Sequence, residues 1–249
     1  DYFNARLADV VEAYVRQATE ADPQARLRIL EIGAGTGGTS SMVLSKLEDL
    51  QEFVGEYCYT DISKAFLLYA EEHYGPQYVC LDYKLWDIER PAADQGIDTG
   101  AYDIVIATNV LHATRNIRQT LCRAKSALKR QGLLLLNEIT DKSVSASVTF
   151  GLLDGWWLFE DEAVRIPGSP LLSPENWEKV LEELGFGSIQ FPAQTARGLG
   201  QQVIAARSDG LIRQPGRIAQ TDPIKAAFVT RSAEELDAVV RRQILESLS

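Results

Sequence analysis

One run constrains this chain more than any other. Leu27-Arg28-Ile29-Leu30-Glu31-Ile32 leads without a break into Gly33-Ala34-Gly35-Thr36-Gly37-Gly38. The first six residues read as a buried strand and the glycines as a tight turn. Met42, Val43 and Leu47 then fall on one face, as in a helix. Strand, glycine turn and helix open a parallel βαβ unit, with the turn at the carboxyl edge of the sheet and a helix N-terminus facing it. The grammar then repeats. Glu56–Thr60, Tyr78–Trp86, Tyr102–Ala107 and Gly132–Asn137 predict further strands, and helices are predicted over Ala65–His73 and Arg115–Lys129. Apolar strands separated by helices call for a sheet covered on both faces, so the expected fold is a doubly wound α/β domain.

The flanks are organised differently. Asp1–Glu20 spaces Leu7, Val10, Val11, Tyr14 and Val15 as an amphipathic helix. After Glu138 come the aromatic segment Phe150–Phe159, a loop at Pro167–Pro174 and a helix over Pro174–Leu184. Ser188–Phe191 and Gln202–Ala206 read as a closing strand pair, Ser208–Asp222 as a linker and Ala233–Leu248 as a last amphipathic helix. The expected division is an N-terminal helical lid over 1–26 and a core over 27–207 with a substrate-lid insertion at about 143–172. A linker and helix over 208–249 follow, which either complete the domain or begin a carrier domain. Lacking an initial Met and stopping abruptly, the chain reads as a piece of something longer.

The glycine loop fits two templates. Gly33-x-Gly35-x-x-Gly38 satisfies a dinucleotide fingerprint, and Glu31-x-Gly33-x-Gly35-x-Gly37 the loop of S-adenosylmethionine (SAM) methyltransferases. Glu31 discriminates: its carboxylate repels a pyrophosphate but suits the cationic amino and sulfonium groups of SAM. Two further acids sit at successive strand ends. Asp61, followed by Ile62, is placed to accept from ribose hydroxyls, with helix capping as its rival role. Asp87 is placed to reach the adenine amine, with Ile88 packing on the ring. Asn109, at the end of the fourth strand, joins this cofactor-binding set.

Two strand ends carry the candidate chemistry: Asn109-Val110-Leu111-His112-Ala113-Thr114 and Asn137-Glu138-Ile139-Thr140. Neighbouring strands would bring His112 and Glu138 together at the crevice. Imidazole suits proton abstraction near neutral pH, and a carboxylate partner fixes its tautomer. Such a base serves a carbon or hydroxyl that must lose a proton before accepting a methyl group. The rival roles are a buried structural histidine and a loop-capping carboxylate.

Composition narrows the classes further. With 25 basic and 35 acidic side chains the net charge is −10, which disfavours nucleic acid as a partner. Two histidines, His73 and His112, cannot build a histidine-rich metal site, so no metal is expected. Three unpatterned cysteines suit reduced thiols, and the absence of any long apolar stretch argues against a membrane, so a cytoplasmic protein is expected. Arg115–Arg130 is an exception to the acidity, with six basic residues and no acid.

Several motifs together resemble the C-methyltransferase domain of modular polyketide synthases. They are Ile29–Thr39, Tyr59-Thr60-Asp61-Ile62-Ser63, Asp87-Ile88-Glu89, Asn109–Thr114, Asn137–Thr140 and Gly155-Trp156-Trp157. The resemblance spans roughly Tyr2–Arg207, with Gln131-Gly132 where Pro-Gly is usual. It implies a Rossmann-like, seven-stranded, mostly parallel sheet and SAM as cofactor. It also implies methylation of the α-carbon of a β-ketoacyl thioester on an acyl carrier protein, amid other synthase domains. His112 and Glu138 match that family's dyad. Tyr2, Phe3, Trp156, Trp157 and Phe159 are expected to roof the acyl pocket, and Arg115 and Arg118 to meet the acidic carrier. An O-methyltransferase of small hydroxylated metabolites, an NAD-dependent oxidoreductase and a non-catalytic scaffold remain the alternatives.

Overall fold

The computed structural model describes residues 2–142 and 154–213. Seven strands form one sheet: β1 (Leu27–Ile32), β2 (Val54–Asp61), β3 (Leu81–Leu85), β4 (Tyr102–Thr108), β5 (Leu128–Ile139), β6 (Phe186–Gln190) and β7 (Gln201–Ser208). Their order is β3-β2-β1-β4-β5-β7-β6. The first five are parallel, whereas β7 runs antiparallel to both β5 and β6. The helices are α1 (Tyr2–Ala21), α2 (Gly38–Lys46), α3 (Lys64–Tyr74), α4 (Ile117–Ala127) and α5 (Pro174–Glu183). This is the doubly wound α/β architecture expected, including its closing strand pair.

Alternation along the strands builds two cores, one on each face. Leu30, Ile32, Val105, Ala107, Leu134, Leu136, Ile204 and Ala206 face α4 and α5. Ile29, Tyr57, Ile104, Ile106, Leu133, Leu135, Val203 and Ala205 face α1 and α2. The N-terminal segment is anchored there: Leu7, Ala8, Val11 and Val15 of α1 are fully buried, so most of this helix is core wall and only its first turn reaches the glycine-loop end.

Several boundaries differ from expectation. The fourth helix ends at Ala127, because the strand after it begins at Leu128 rather than Gly132. Gln131 takes a left-handed backbone with φ 64° between the halves of that strand, where Tyr102 pairs with Leu128 and Ile104 with Leu133. The third strand begins at Leu81, after a turn in which the Tyr78 amide donates to the Tyr74 carbonyl. The Ala233–Leu248 helix, most of the linker and residues 143–153 of the insertion lie outside the described residues.

Candidate functional site

The glycine loop is shaped by close contacts that other residues would not allow. Gly33, Gly35 and Gly37 all have positive φ, at 61°, 59° and 81°. A Cβ on Gly33 would lie 2.5 Å from Val110 Cγ2, and one on Gly37 would lie 2.6 Å from the Tyr74 ring. A Cβ on Gly35 would meet nothing within 4 Å, so this glycine faces open space. The tight glycines let the loop pack, and the open one leaves room for a ligand against bare backbone.

Asp61 does more than its position suggested. Its Oδ2 accepts from the Gly35 amide at 2.9 Å and its Oδ1 from the Ser63 amide at 2.7 Å. It therefore ties the end of β2 to the loop, while each oxygen keeps a further lone pair. Ser63, not Asp61, occupies the N-cap position of α3. Asp87, past the end of β3, accepts from the Glu89 amide at 2.9 Å.

Glu31 lies beneath the loop, 1% exposed, and its Oε2 accepts from Ser40 Oγ at 2.5 Å and Tyr57 hydroxyl at 2.6 Å. Burial pushes its carboxyl up to about 7, against the opposing pull of these two donors. This buried carboxyl braces α2 and β2 beneath the loop. The two isoleucines of the cofactor-binding set differ in exposure. Ile88 is 6% exposed in the core under α4, whereas Ile62 is 73% exposed at the end of β2. Asn109, at φ 53°, uses its Oδ1 to accept from the Ile139 amide, so its side chain joins the ends of β4 and β5.

His112 and Glu138 come together as the strand order requires, 3% and 0% exposed. His112 Nδ1 is hydrogen-bonded to Glu138 Oε2. A carboxylate only accepts, so Nδ1 carries the hydrogen, and in the neutral ring this leaves the lone pair on Nε2. Glu138 Oε1 accepts from the Leu111 amide at 2.9 Å and the Val110 amide at 3.3 Å. The carboxylate therefore fixes the ring and the loop that carries it. Trp156 stands edge-on to the imidazole, ring centroids 5.6 Å apart, and is itself 7% exposed.

The other expected pocket aromatics are spread out. Trp157 is 54% exposed. Phe159 lies under the Arg165 guanidinium, 5.8 Å from its ring centroid. Tyr2 and Phe3 contact each other edge-on at 5.2 Å, but Phe3 packs on the α1 face of the core. The first turn of α1 instead contributes Asn4, whose Oδ1 accepts from Asn137 Nδ2 at 2.7 Å.

Arg165 went unnoticed in the sequence. Its guanidinium, 4% exposed in residue terms, donates to the His112 and Pro170 carbonyls at 2.8 and 2.6 Å and to the Thr114 carbonyl at 3.0 Å. Its Nε pairs with Asp161 at 2.6 Å, and Asp161 also accepts from the Ile117 amide at 2.7 Å. The spacing Asp161-x-x-x-Arg165 was the available signal.

Four residues of the basic run are paired with acids of other elements. Arg118 makes two bonds to Glu183 Oε2, at 2.9 and 2.6 Å, and Arg115 lies 4.0 Å from Glu89 and 3.5 Å from Glu160. Lys129 pairs with Asp103, and Lys125 is buried against Asp209 and the Leu184 carbonyl. The run has no acid within it because its acids come from other elements. Arg118, expected to meet a carrier, is thus engaged by Glu183 within the fold.

Comparisons with known proteins agree with this geometry. A family model described as a methyltransferase domain matches residues 30–134. The chain is 55% identical over 224 residues to polyketide synthase PksR of Bacillus subtilis, covering 90% of this chain and 9% of that protein. It is 45% identical to polyketide synthase ThaQ of Burkholderia thailandensis, covering 89% of this chain and 11% of the synthase. The chain thus spans only a small part of these relatives. Among solved structures, the DszA carbon methyltransferase superposes with a TM-score of 0.73 at 42% identity, over 79% of this chain and 52% of that one. The trans-methyltransferase CalH, solved with S-adenosylhomocysteine, gives 0.68 at 32% identity, over 82% and 57%. The open cradle at Gly35 and the acids ending β2 and following β3 suit the adenosyl and amino acid parts of SAM. Fold, loop and relatives together make this chain a SAM-dependent methyltransferase domain of the kind that resembles the carbon methyltransferases of polyketide synthases.

Proposed function

We propose that this domain methylates the α-carbon of a β-ketoacyl thioester held on an acyl carrier protein. The observation that carries the reading is the His112–Glu138 pair, which fixes an imidazole through Nδ1 on the loop whose Val110 packs against the glycine turn. The loop's closeness is concrete, since Val110 packs on Gly33 and Thr39 donates to Thr108 at 2.9 Å.

A carbon between a ketone and a thioester loses its proton readily, because the charge spreads over two carbonyls. His112 Nε2 takes that proton, and Glu138 stabilises the imidazolium as it forms. The C–H electron pair becomes the enolate. When bound, SAM supplies an electrophilic methyl group on its sulfonium, to which the enolate carbon is the matching nucleophile. Asp61, Asp87 and the glycine backbone would hold the adenosyl half, and Glu31 would favour the cationic end from beneath. Trp156 shields the imidazole, which keeps water from competing. Arg115, 55% exposed at its side chain, borders a groove shared with Glu89, Asn116 and Arg123, a reasonable approach for the carrier.

Mass spectrometry of an acetoacetyl carrier protein incubated with SAM and the domain tests the reading. The expected product is heavier by one methyl on the α-carbon. His112→Ala lowers the rate about 10²–10⁴-fold while leaving SAM binding intact. Methylation of free phenols but not of the carrier-bound thioester would instead assign an O-methyltransferase.

A further inference from the structure

One polar side chain beside the dyad has no part in the scheme above. Gln202, in β7, is the register partner of Glu138 in β5. It is 1% exposed, and neither its amide nitrogen nor its amide oxygen has a hydrogen-bond partner among the described residues. Strand parity sets its face. Leu134, Leu136, Ile204 and Ala206 all point to the α4 side, so Glu138 and Gln202, which continue the two alternations, share that side. Cross-strand partners on one face stand about 5 Å apart at Cβ. Glu138 is therefore flanked by His112 from the β4 side and by Gln202 from the β7 side.

Gln202 does not serve Glu138. That carboxylate is already bonded to His112 through one oxygen and to the Val110 and Leu111 amides through the other. Nor is an orphaned amide a general feature of this edge, because Gln201 on the opposite face donates to Asn137 at 2.6 Å. A buried amide with both atoms unmet destabilises the fold, and an apolar side chain of similar size would not. Such a group next to a candidate active site calls for a functional explanation.

We propose that Gln202 is a catalytic residue of the reaction set out above, on which this inference rests: its Nε2–H donates to the substrate oxygen that gains charge as the enolate forms. The balance is simple. The α-proton goes to His112 Nε2, the C–H electron pair becomes part of the carbon–carbon double bond, and the carbonyl π pair moves onto the oxygen. Gln202 donates a hydrogen bond to that oxygen and transfers no proton. As the α-carbon gains its methyl, the pair returns and the hydrogen bond weakens. A donor aimed at charge that exists only along the reaction accelerates it without holding the ground state more tightly.

Gln202→Met tests this, because it keeps the volume and removes only the amide. Three readouts apply: thermal midpoint, calorimetric SAM affinity, and kinetics on an acetoacetyl carrier protein. The kinetics follow both methyl gain and α-proton exchange into deuterated water without SAM. The expected result is an equal or higher midpoint, unchanged SAM affinity, and a loss of about 10²–10³-fold in exchange and methylation. A Met variant as active as wild type would overturn the assignment of Gln202 alone. A Met variant with a clearly lower midpoint would also overturn it, because the amide would then be satisfied within the fold. Wild-type protein that neither exchanges nor methylates this substrate would overturn the proposed function itself, and Gln202 with it.

Discussion

Burial holds the Glu31 carboxyl near 7, within the range where enzymes work, and this gives the residue two pH signatures. Its folded value is raised above that of the unfolded chain. Between about 4.5 and 7 the folded protein therefore keeps a proton the unfolded chain has lost, and stability falls as pH rises through that window. The whole contribution is of order 3 kcal/mol. A cationic group bound above the loop favours the ionised form, so SAM affinity should rise about tenfold between pH 6 and 8. Glu31→Gln should flatten both profiles, measured by denaturant titration and by calorimetry across pH. An unchanged affinity profile in that variant would mean that the buried carboxyl does not sense the bound cation. At this scale the residue types were legible and their partners were not. Glu31 was visible in the loop motif, but Ser40 and Tyr57, which decide its burial, come from other elements. Gln202 shows the same gap, since its position opposite Glu138 depends on an antiparallel register.

Among the elements, the loop between β4 and α4 depends most on what lies above it. Arg165 satisfies the His112, Thr114 and Pro170 carbonyls and pairs with Asp161, which in turn holds the first amide of α4. Truncating it leaves those carbonyls without this donor and strips Asp161, a nearly buried carboxylate, of its cation, with only the Ile117 amide left to it. Arg165→Ala should therefore destabilise the domain by about 3–5 kcal/mol, read as a shifted urea midpoint. Arg165→Lys should recover only part of this, because an ammonium cannot reproduce the planar fork. A surface-like loss below 1 kcal/mol would show that the loop holds itself. The strands were legible from apolar runs, and so was the glycine turn. The end of α4 was not, because Leu128 continues the helical pattern in sequence while pairing with Tyr102 of β4 in space. The pairing of the basic run was illegible for a related reason: its acids, Glu89, Asp103, Glu160, Glu183 and Asp209, are distant in sequence.

For the molecule as a whole, a ligand that binds only the folded state adds to its stability by mass action. SAM at one hundred times its dissociation constant contributes about 2.7 kcal/mol, which raises the midpoint of a domain this size by about 5–10 °C. NAD at the same concentration should raise it by less than about 1 °C, because Glu31 and the acids after β2 and β3 disfavour a pyrophosphate. A scan with both ligands checks this directly, and equal shifts would reopen the dinucleotide reading. Fold class was the most legible property of all, since it needs only the alternation of elements and not their partners.

The reversal of β7 has a further meaning for how this enzyme can change. Every parallel strand contributes its exit to the crevice, so mutations there disturb the cofactor's seat and the catalytic pair together. β7 contributes its beginning, Gln201–Val203, paired with Ile139–Asn137 and remote from the glycine loop by two strands. One wall of the crevice is thus built from a stretch of chain that shares no residue with the other. A change at Gln202, the one residue of this stretch on the Glu138 side, should therefore alter turnover while leaving methyl-donor recognition untouched.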